Sequence, residues 1–221
     1  MISIDQQQKL LINISRRLKK KIVAYAVGGT AMMFLGFKDA TLDIDLVFAT
    51  EEERELFKDA AKSLGYQEMD TIKVYGVKRN TPLMLNLNEQ RFDLFVVNII
   101  DFIFSKDMMK RANQTHQFGD NLILKIANPH DIVLMKCATD RLKDKDDARN
   151  IINSTKINWN IIITEAKNQI ALGKEMAAFE LGEFLEYLKT KMKVNIPQQV
   201  LDEIFGIVEK QAKNKRSKHS K

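Results

Sequence analysis

The chain has 221 residues, of which 45% are hydrophobic and 29% charged, with nine Gly, three Pro and one Cys. This composition is typical of a globular protein of one or two domains, and it excludes collagen-like, low-complexity and disulfide-scaffold proteins. No apolar run approaches the roughly 18 residues that span a bilayer, and the first ten residues are too polar for a signal peptide. We therefore expect a cytoplasmic protein without membrane contacts.

The net charge of +6 is concentrated at the C-terminal end of the sequence. Residues 210–221 hold six of the 35 Lys and Arg residues and no Asp or Glu, so residues 1–209 are formally neutral. This composition predicts a disordered basic tail at residues 213–221. Two interpretations of the tail stay open: it keeps the protein soluble, or it binds the phosphates of RNA or DNA.

The first half of the chain mixes helix and strand signals. Apolar spacing predicts helices at residues 6–20, 30–35 and 51–64 and a short helical turn at 107–111. Short apolar or alternating runs predict strands at residues 22–27, 42–48, 72–77, 91–100, 115–118 and 122–126. The helix at 51–64 has the clearest start, because Thr50 is a good N-cap and three glutamates follow it.

From Asn128-Pro129 onward the pattern is helical. The predicted helices cover residues 131–142, 144–152, 159–172, 175–191 and 198–211. The sequence therefore predicts an α+β protein with an α/β domain at residues 1–127, built on a mixed sheet with flanking helices. A helical domain should follow at residues 128–212, and the basic tail completes the chain.

Three aspartates are placed to form one acidic cluster. Successive side chains of a strand alternate between its faces, so Asp43 and Asp45 project together from one strand. Asp93 occupies the corresponding end of a later strand. Three converging carboxylates repel one another unless a cation neutralises them, and oxygen ligands of this kind suit Mg²⁺. The cluster therefore predicts a metal site.

Gly28-Gly29, followed by a helix near Thr30, suits a phosphate ligand. Glycine allows close approach of the backbone, and the first N–H groups of a helix attract anions. A triphosphate fits this description, with metal ions held by Asp43 and Asp45 bridging its phosphates and Asp93 orienting an attacking hydroxyl.

Each of these features also has an ordinary structural interpretation. A Gly-Gly pair is most often a tight turn, and an Asp-x-Asp sequence is often the solvated face of an edge strand. Asp93 could simply be paired with Arg91. Their occurrence together in this order favours the functional interpretation.

Residues 22–152 resemble the polymerase-beta-type nucleotidyltransferases. The pattern of that superfamily is a strand, Gly-Gly or Gly-Ser, a helix, Asp-x-Asp on the next strand and a third Asp on a later one. The resemblance assigns Gly28, Gly29, Asp43, Asp45 and Asp93 to those positions. It implies a nucleotidyltransferase-like mixed sheet followed by a C-terminal helical bundle.

A second segment resembles the AbiEii-like toxin nucleotidyltransferases and their relatives. It comprises Asn128-Pro129-His130-Asp131 and the run on to Lys136, and then Arg141 to Asp147. The resemblance implies that Lys136 contacts the triphosphate and that Asp144 or Asp147 supports it. The alternative is that Lys136 is an exposed helix residue and Asp144 an N-cap.

The expected activity is Mg²⁺-dependent transfer of a nucleoside monophosphate from an NTP to a hydroxyl. The resemblance implies a toxin-like role, a cognate antitoxin protein and an RNA 3′ end, such as that of tRNA, as the acceptor. A protein side chain and a small molecule are the alternative acceptors. Many relatives have an Arg shortly before the acid pair, where this chain has Lys38. A catalytically inactive nucleotide- or RNA-binding module of the same fold is therefore the first alternative. A helical interaction protein whose acids are only surface charge is the second, and it predicts that no divalent metal binds.

Overall fold

The computed structural model describes residues 1–77, 79–139 and 141–219, and for residues 214–219 it describes the backbone alone. The strands are β1 (Ile2–Ser3), β2 (Ile22–Ala26), β3 (Ala40–Thr41), β4 (Ile44–Phe48), β5 (Gln67–Met69), β6 (Leu83–Leu87), β7 (Gln90–Val96), β8 (Asn98–Ile99), β9 (Phe102–Ile103), β10 (Gln114–Phe118) and β11 (Leu122–Ile126). The helices are α1 (Ile4–Ser15), α2 (Gly28–Phe34), α3 (Glu51–Ser63), α4 (Ile72–Tyr75), α5 (Lys106–Arg111), α6 (Pro129–Lys136), α7 (Leu142–Ser154), α8 (Trp159–Ala171), α9 (Glu175–Thr190) and α10 (Gln198–His219).

The chain divides into two compact units. The first comprises residues 1–100 and 104–128, and the second comprises residues 101–103 and 129–221. The first unit holds the sheet and helices α1 to α5, and the second holds helices α6 to α10. The predicted fold class, a mixed sheet with flanking helices followed by C-terminal helices, is confirmed.

The sheet of the first unit orders its strands β10-β11-β2-β4-β7-β6-β5. Strand β2 is antiparallel to β4, and β4 is parallel to β7. Asp45 on β4 lies directly beside Asp93 on β7 in this register. Parallel pairing thus places the two strand-borne acids next to each other, because both strands run in the same direction.

Helix α3 covers one face of the sheet with an aromatic core. The ring of Phe57 lies 5.5 Å from that of Phe48 on β4 and 5.3 Å from that of Phe92 on β7, and all three side chains are fully buried. Side chains alternate along a strand, so Asp45 and Asp93 lie on the opposite face. The predicted N-cap is confirmed, since Thr50 accepts a hydrogen bond from the backbone of α3.

The prediction of a strand at residues 72–77 is wrong. Ile72–Tyr75 form the one-turn helix α4, and strands β5 and β6, which the sequence analysis does not predict, fill the sheet beside β7. The β-branched residues of the segment favour a strand only where a sheet can half-bury them. Here Ile72 and Val77 are 63% and 98% exposed.

The strand predicted at residues 91–100 is interrupted after Val96. Val97 has a φ of 55°, outside the extended region, and the two residues of β8 pair back onto β7 as a separate strand. A positive φ at a β-branched residue is a costly conformation that the apolar pattern does not reveal.

The second unit is held together by apolar helix faces and a buried amide. Helices α8, α9 and α10 pack against one another through small and aliphatic side chains such as Ala178, Leu181 and Leu185. Gln169, fully buried on α8, accepts from the backbone N–H of Ile103 at 2.9 Å and donates to its carbonyl at 2.8 Å. These two bonds explain why residues 101–103 belong to the helical unit.

The tail at residues 213–221 is predicted to be disordered, but its backbone continues helix α10 as far as His219. Lys, Gln, Ala and Arg are favourable helix residues, and this propensity extends a helix that composition alone would end earlier. Ser220 and Lys221 lie outside the described residues. Within the described part of the chain, no helix has the length and apolar character needed to cross a bilayer.

Candidate active site

The structure brings together the carboxylates of Asp43, Asp45 and Asp93. One carboxylate oxygen from each of the three residues can be chosen so that all three oxygens lie within 4.8 Å of one another. Asp93 is completely buried, whereas the side chain of Asp43 is 20% exposed. The three carboxylates converge as predicted, but Asp43 lies in the bend just before β4 and not on the strand itself.

Arg91 compensates part of this negative charge. Its Nε donates to Oδ1 of Asp93 at 2.9 Å, and its Nη2 donates to Oδ2 of Asp93 at 3.3 Å and to Oδ2 of Asp43. The pairing of Asp93 with Arg91, weighed above as an ordinary interpretation, therefore exists and extends to a second acid. A guanidinium bridging two carboxylates shows that this point in the fold favours a cation.

Tyr75 is a residue of this site that sequence reasoning missed. Its hydroxyl donates to Oδ2 of Asp93 at 2.6 Å, and its ring meets the ring of Phe95 edge-on at 6.5 Å. Phe95 follows Asp93 by two residues on β7, so it shares the face that carries the acids. No motif surrounds Tyr75, and the wrong strand prediction at 72–77 hid its position.

The glycine turn, Gly28-Gly29 at the start of α2, lies directly against the acids. A Cβ added to Gly28, whose φ is 53°, would meet Oδ2 of Asp45 at 2.6 Å. A Cβ added to Gly29 would meet Oγ1 of Thr41 at 2.5 Å. A side chain at either position would displace a group that shapes the site, and at Gly28 the positive φ disfavours any residue other than glycine.

Thr30 is buried and fixes the backbone of β4. Its hydroxyl accepts from the N–H of Asp45 at 2.8 Å and from Nε2 of Gln7 at 3.4 Å. Its side chain therefore supports the acid strand. Helix geometry leaves the N–H groups of Gly28, Gly29 and Thr30 without acceptors inside α2, so these backbone groups are what the turn can offer to an anion.

Lys136, Asp144 and Asp147 form a compact ion cluster within the second unit. The ammonium donates to Oδ1 of Asp144 and Oδ2 of Asp147, each at 2.7 Å, and none of the three side chains is more than 11% exposed. Thr139 and Arg141 also donate to Asp144. Neither ordinary interpretation holds: Lys136 is not an exposed residue, and Asp144 is not the N-cap, which is Arg141.

The charges of this cluster stabilise one another. Burial acts to lower the pKa of Lys136, but the carboxylates of Asp144 and Asp147 outweigh it and raise that pKa above its ordinary value. Burial likewise acts to raise the pKa of Asp144, and the attraction of Lys136 outweighs it, so that pKa is lowered. Lys136 and Asp144 are therefore both charged at neutral pH.

Comparison with known proteins identifies the family. Residues 1–194 match the family described as "Nucleotidyltransferase of unknown function (DUF6036)". The chain belongs to this family. It is a nucleotidyltransferase, and the acidic cluster beside the glycine turn is its candidate active site. This family match supports the nucleotidyltransferase superfamily and does not specify the AbiEii-like toxins.

The comparison with solved structures gives a more distant similarity. The nucleotidyltransferase is similar to the crystal structure of ANT(2″)-Ia in complex with adenylyl-2″-tobramycin, with 15% identity and a TM-score of 0.47. The similarity covers 81% of this chain and 97% of the other. No curated protein matches the sequence.

Replacing Gly28 by Ala should damage both the fold and the acidic cluster. The alanine has to hold the left-handed backbone conformation of Gly28, at a cost of about 1–2 kcal/mol. Its Cβ also forces the carboxylate of Asp45 to move. Divalent-metal affinity, measured by calorimetry, should therefore fall together with stability in urea.

Gly36→Ala is the matched control. Gly36 also has a positive φ, of 75°, but nothing lies within 4 Å of its added Cβ. It should lose similar stability and keep its metal affinity. Equal metal affinities of the two variants would show that contact with Asp45 does not shape the cluster.

Replacing Lys136 by Met should destabilise the protein by about 3–5 kcal/mol, since two buried carboxylates lose their counter-ion. Adding Asp144→Asn and Asp147→Asn should recover most of this loss, which denaturant unfolding can measure.

The stability contributed by Asp144 should depend on pH. Because the pKa of Asp144 is lowered in the folded protein, its pairing with Lys136 stabilises the fold at pH values above the ordinary pKa of 3.8, and this stabilisation is lost as the pH falls below that value. Lys136→Met alone should therefore lose less stability on acidification than the parent, and equal losses would contradict this account.

Proposed function

We infer that this nucleotidyltransferase transfers a nucleoside monophosphate from a Mg²⁺-bound NTP to a hydroxyl group. The observation that carries this proposal is the position of three carboxylates within 4.8 Å of one another, directly beside a glycine turn. Their oxygen atoms are the ligands that Mg²⁺ prefers. Arg91 supplies one formal positive charge against three carboxylates, so the cluster keeps a formal surplus of negative charge that a divalent cation can balance.

The residues of the first unit have distinct proposed roles. Asp43, Asp45 and Asp93 hold Mg²⁺, which when bound neutralises phosphate charge and polarises the α-phosphate. The backbone N–H groups of Gly28, Gly29 and Thr30 bind phosphate oxygens. Asp93 lies beside the acceptor hydroxyl and receives or orients its proton.

Lys136, Asp144 and Asp147 stay proposed nucleotide-binding residues on the strength of the resemblance described above. In that role the ammonium of Lys136 contacts the triphosphate, and the two carboxylates hold it in place. Phosphate oxygens would then compete with carboxylates that lie 2.7 Å from the ammonium.

The proposed external acceptor is an RNA 3′ end, and the resemblance adds a toxin-like role with a cognate antitoxin. The surplus of cations in residues 210–221 supports an RNA partner, because phosphate contacts are made by Lys and Arg. A binding module without turnover is the competing function. Pyrophosphate release on mixing the protein with NTP, Mg²⁺ and total RNA supports transfer, whereas binding without release supports the module.

Asp45→Asn should abolish Mg²⁺-dependent NTP binding or reduce it at least tenfold. The substitution removes one ligand charge with almost no change of shape, and the backbone bond of Asp45 to Thr30 remains. Asp120→Asn is the matched control, because Asp120 is an exposed residue of the same unit in the β10–β11 turn. Calorimetry with Mg²⁺ and each NTP measures the effect. Unchanged binding by the Asp45 variant would place the metal elsewhere.

Replacing the cations of the C-terminal segment by Gln should weaken RNA binding and leave NTP binding intact. The substituted residues are Lys210, Lys213, Lys215, Arg216, Lys218 and Lys221. Each lost phosphate contact lowers the logarithmic salt dependence by about 0.7 on a single strand, so a weaker affinity must come with a shallower slope. Gln preserves helix propensity, which makes this variant cleaner than a truncation. If the RNA affinity and its salt dependence are both unchanged, the segment does not bind RNA, and its other proposed role, in solubility, is favoured.

A further inference from the structure

The contact between Tyr75 and Asp93 is not accounted for by metal or nucleotide binding. The phenol donates to Oδ2 of the buried carboxylate at 2.6 Å, a short hydrogen bond to an ionisable acid. Asp93 also accepts from Arg91, whose Nε donates to Oδ1 at 2.9 Å and whose Nη2 makes a longer contact of 3.3 Å with Oδ2. A hydroxyl group of the chain itself therefore lies against the third acid of the active site.

This is the position that the reaction assigns to an acceptor. A hydroxyl that attacks the α-phosphate must lie beside the group that receives its proton, and a phenol can serve as such a nucleophile. Asp93 is the neighbour of Asp45 across the parallel β4–β7 pair. A nucleotide bound at Asp43, Asp45 and the glycine turn therefore lies on the same face of the sheet as the Tyr75 hydroxyl.

We propose that Tyr75 is an internal acceptor, so that the enzyme transfers a nucleoside monophosphate to its own tyrosine. This inference rests on the proposed function. The Tyr75 oxygen forms a bond to the α-phosphorus of the NTP, and the bond from that phosphorus to the oxygen bridging to the β-phosphate breaks. Pyrophosphate leaves with the electron pair, and the phenolic proton passes to Oδ2 of Asp93. The product is a phosphodiester between Tyr75 and the nucleoside.

The surroundings of Tyr75 leave room for this product. Tyr75 is partly exposed on the one-turn helix α4, which ends at Gly76 with a φ of 62°. Its neighbours Ile72 and Val74 are 63% and 41% exposed, so the segment is not enclosed by packing. The ring contact with Phe95 and the bond to Asp93 hold the phenol at the site, while an attached nucleoside can extend into solvent.

The modification also limits transfer to other acceptors. A nucleotide on Tyr75 occupies the side of Asp93 that an external hydroxyl must approach. Self-modification would therefore slow turnover on any other substrate until the phosphodiester is cleaved.

The test combines mass spectrometry with variants of the full chain. The protein is first analysed as purified from expressing cells and then after incubation with Mg²⁺ and α-labelled NTPs. Tyr75→Phe keeps the ring but removes the acceptor oxygen, and Asp45→Asn disables the metal site. Tyr187→Phe is the matched control, because Tyr187 lies on helix α9 in the second unit and packs on Lys145. Mg²⁺-NTP binding of every protein is measured separately by calorimetry.

The expected result is a mass gain of one nucleoside monophosphate on the peptide that contains Tyr75. The gain should appear in the parent and in Tyr187→Phe, and it should be absent from Tyr75→Phe and Asp45→Asn. Its rate should not depend on protein concentration, since donor site and acceptor belong to one chain. A fraction of the protein as purified should already carry the modification, sensitive to phosphodiesterase.

Three results overturn the proposal and can be distinguished from one another. Mg²⁺-NTP binding by the parent without a mass gain at Tyr75 leaves the proposed function standing and reduces Tyr75 to a residue that positions Asp93. Absence of any Mg²⁺-NTP binding overturns the proposed function and this inference together. Equal labelling of the parent and Tyr75→Phe also overturns the inference, because the acceptor then lies elsewhere.

Discussion

The repulsion among three carboxylates is the constraint on which the first unit depends. Parallel pairing of β4 and β7 places Asp45 beside Asp93, and Asp43 precedes β4 on the same side. At separations below 4.8 Å and an effective dielectric constant near 20, two ionised carboxylates repel by about 3–4 kcal/mol. Such a cluster survives only with positive charge beside it, and Arg91 supplies part of that charge. Clusters of like charges that lower the stability of a protein are typical of active sites.

The surrounding residues hold the acids against that repulsion. Thr30 fixes the backbone of Asp45 from one side, and the aromatic core around Phe57 anchors β4 and β7 from the opposite face. Gly28 allows the turn to approach the carboxylate of Asp45 more closely than any other residue would permit. The positions of the acids are therefore set by the residues packed around them, and such support is what precise positioning of a site requires.

In the second unit the buried charge that needs compensation is positive, whereas in the first unit it is negative. The buried ammonium of Lys136 is paired with the carboxylates of Asp144 and Asp147, and the attraction between Lys136 and Asp144 raises the pKa of the first and lowers the pKa of the second. Breaking such a cluster is costly, whereas replacing it as a whole is not. A substitution at Lys136 therefore lowers the stability of the protein whether or not Lys136 binds the nucleotide. Stability and nucleotide affinity have to be measured separately for such a variant.

The sequence by itself determined the fold class, the three acids, the glycine turn and the change to helices near residue 128. These features follow from local rules: the period of two in a strand, the helical period, and glycine at tight turns. Only the tertiary structure decided that Arg91 bridges two of the acids, that Tyr75 reaches Asp93, and that residues 72–75 form a helix instead of a strand. The physical reason is that these contacts join segments far apart in the chain, or depend on which strand occupies the place beside β7. No local pattern of residues encodes such a choice, because it is made by competition for burial among all the strands.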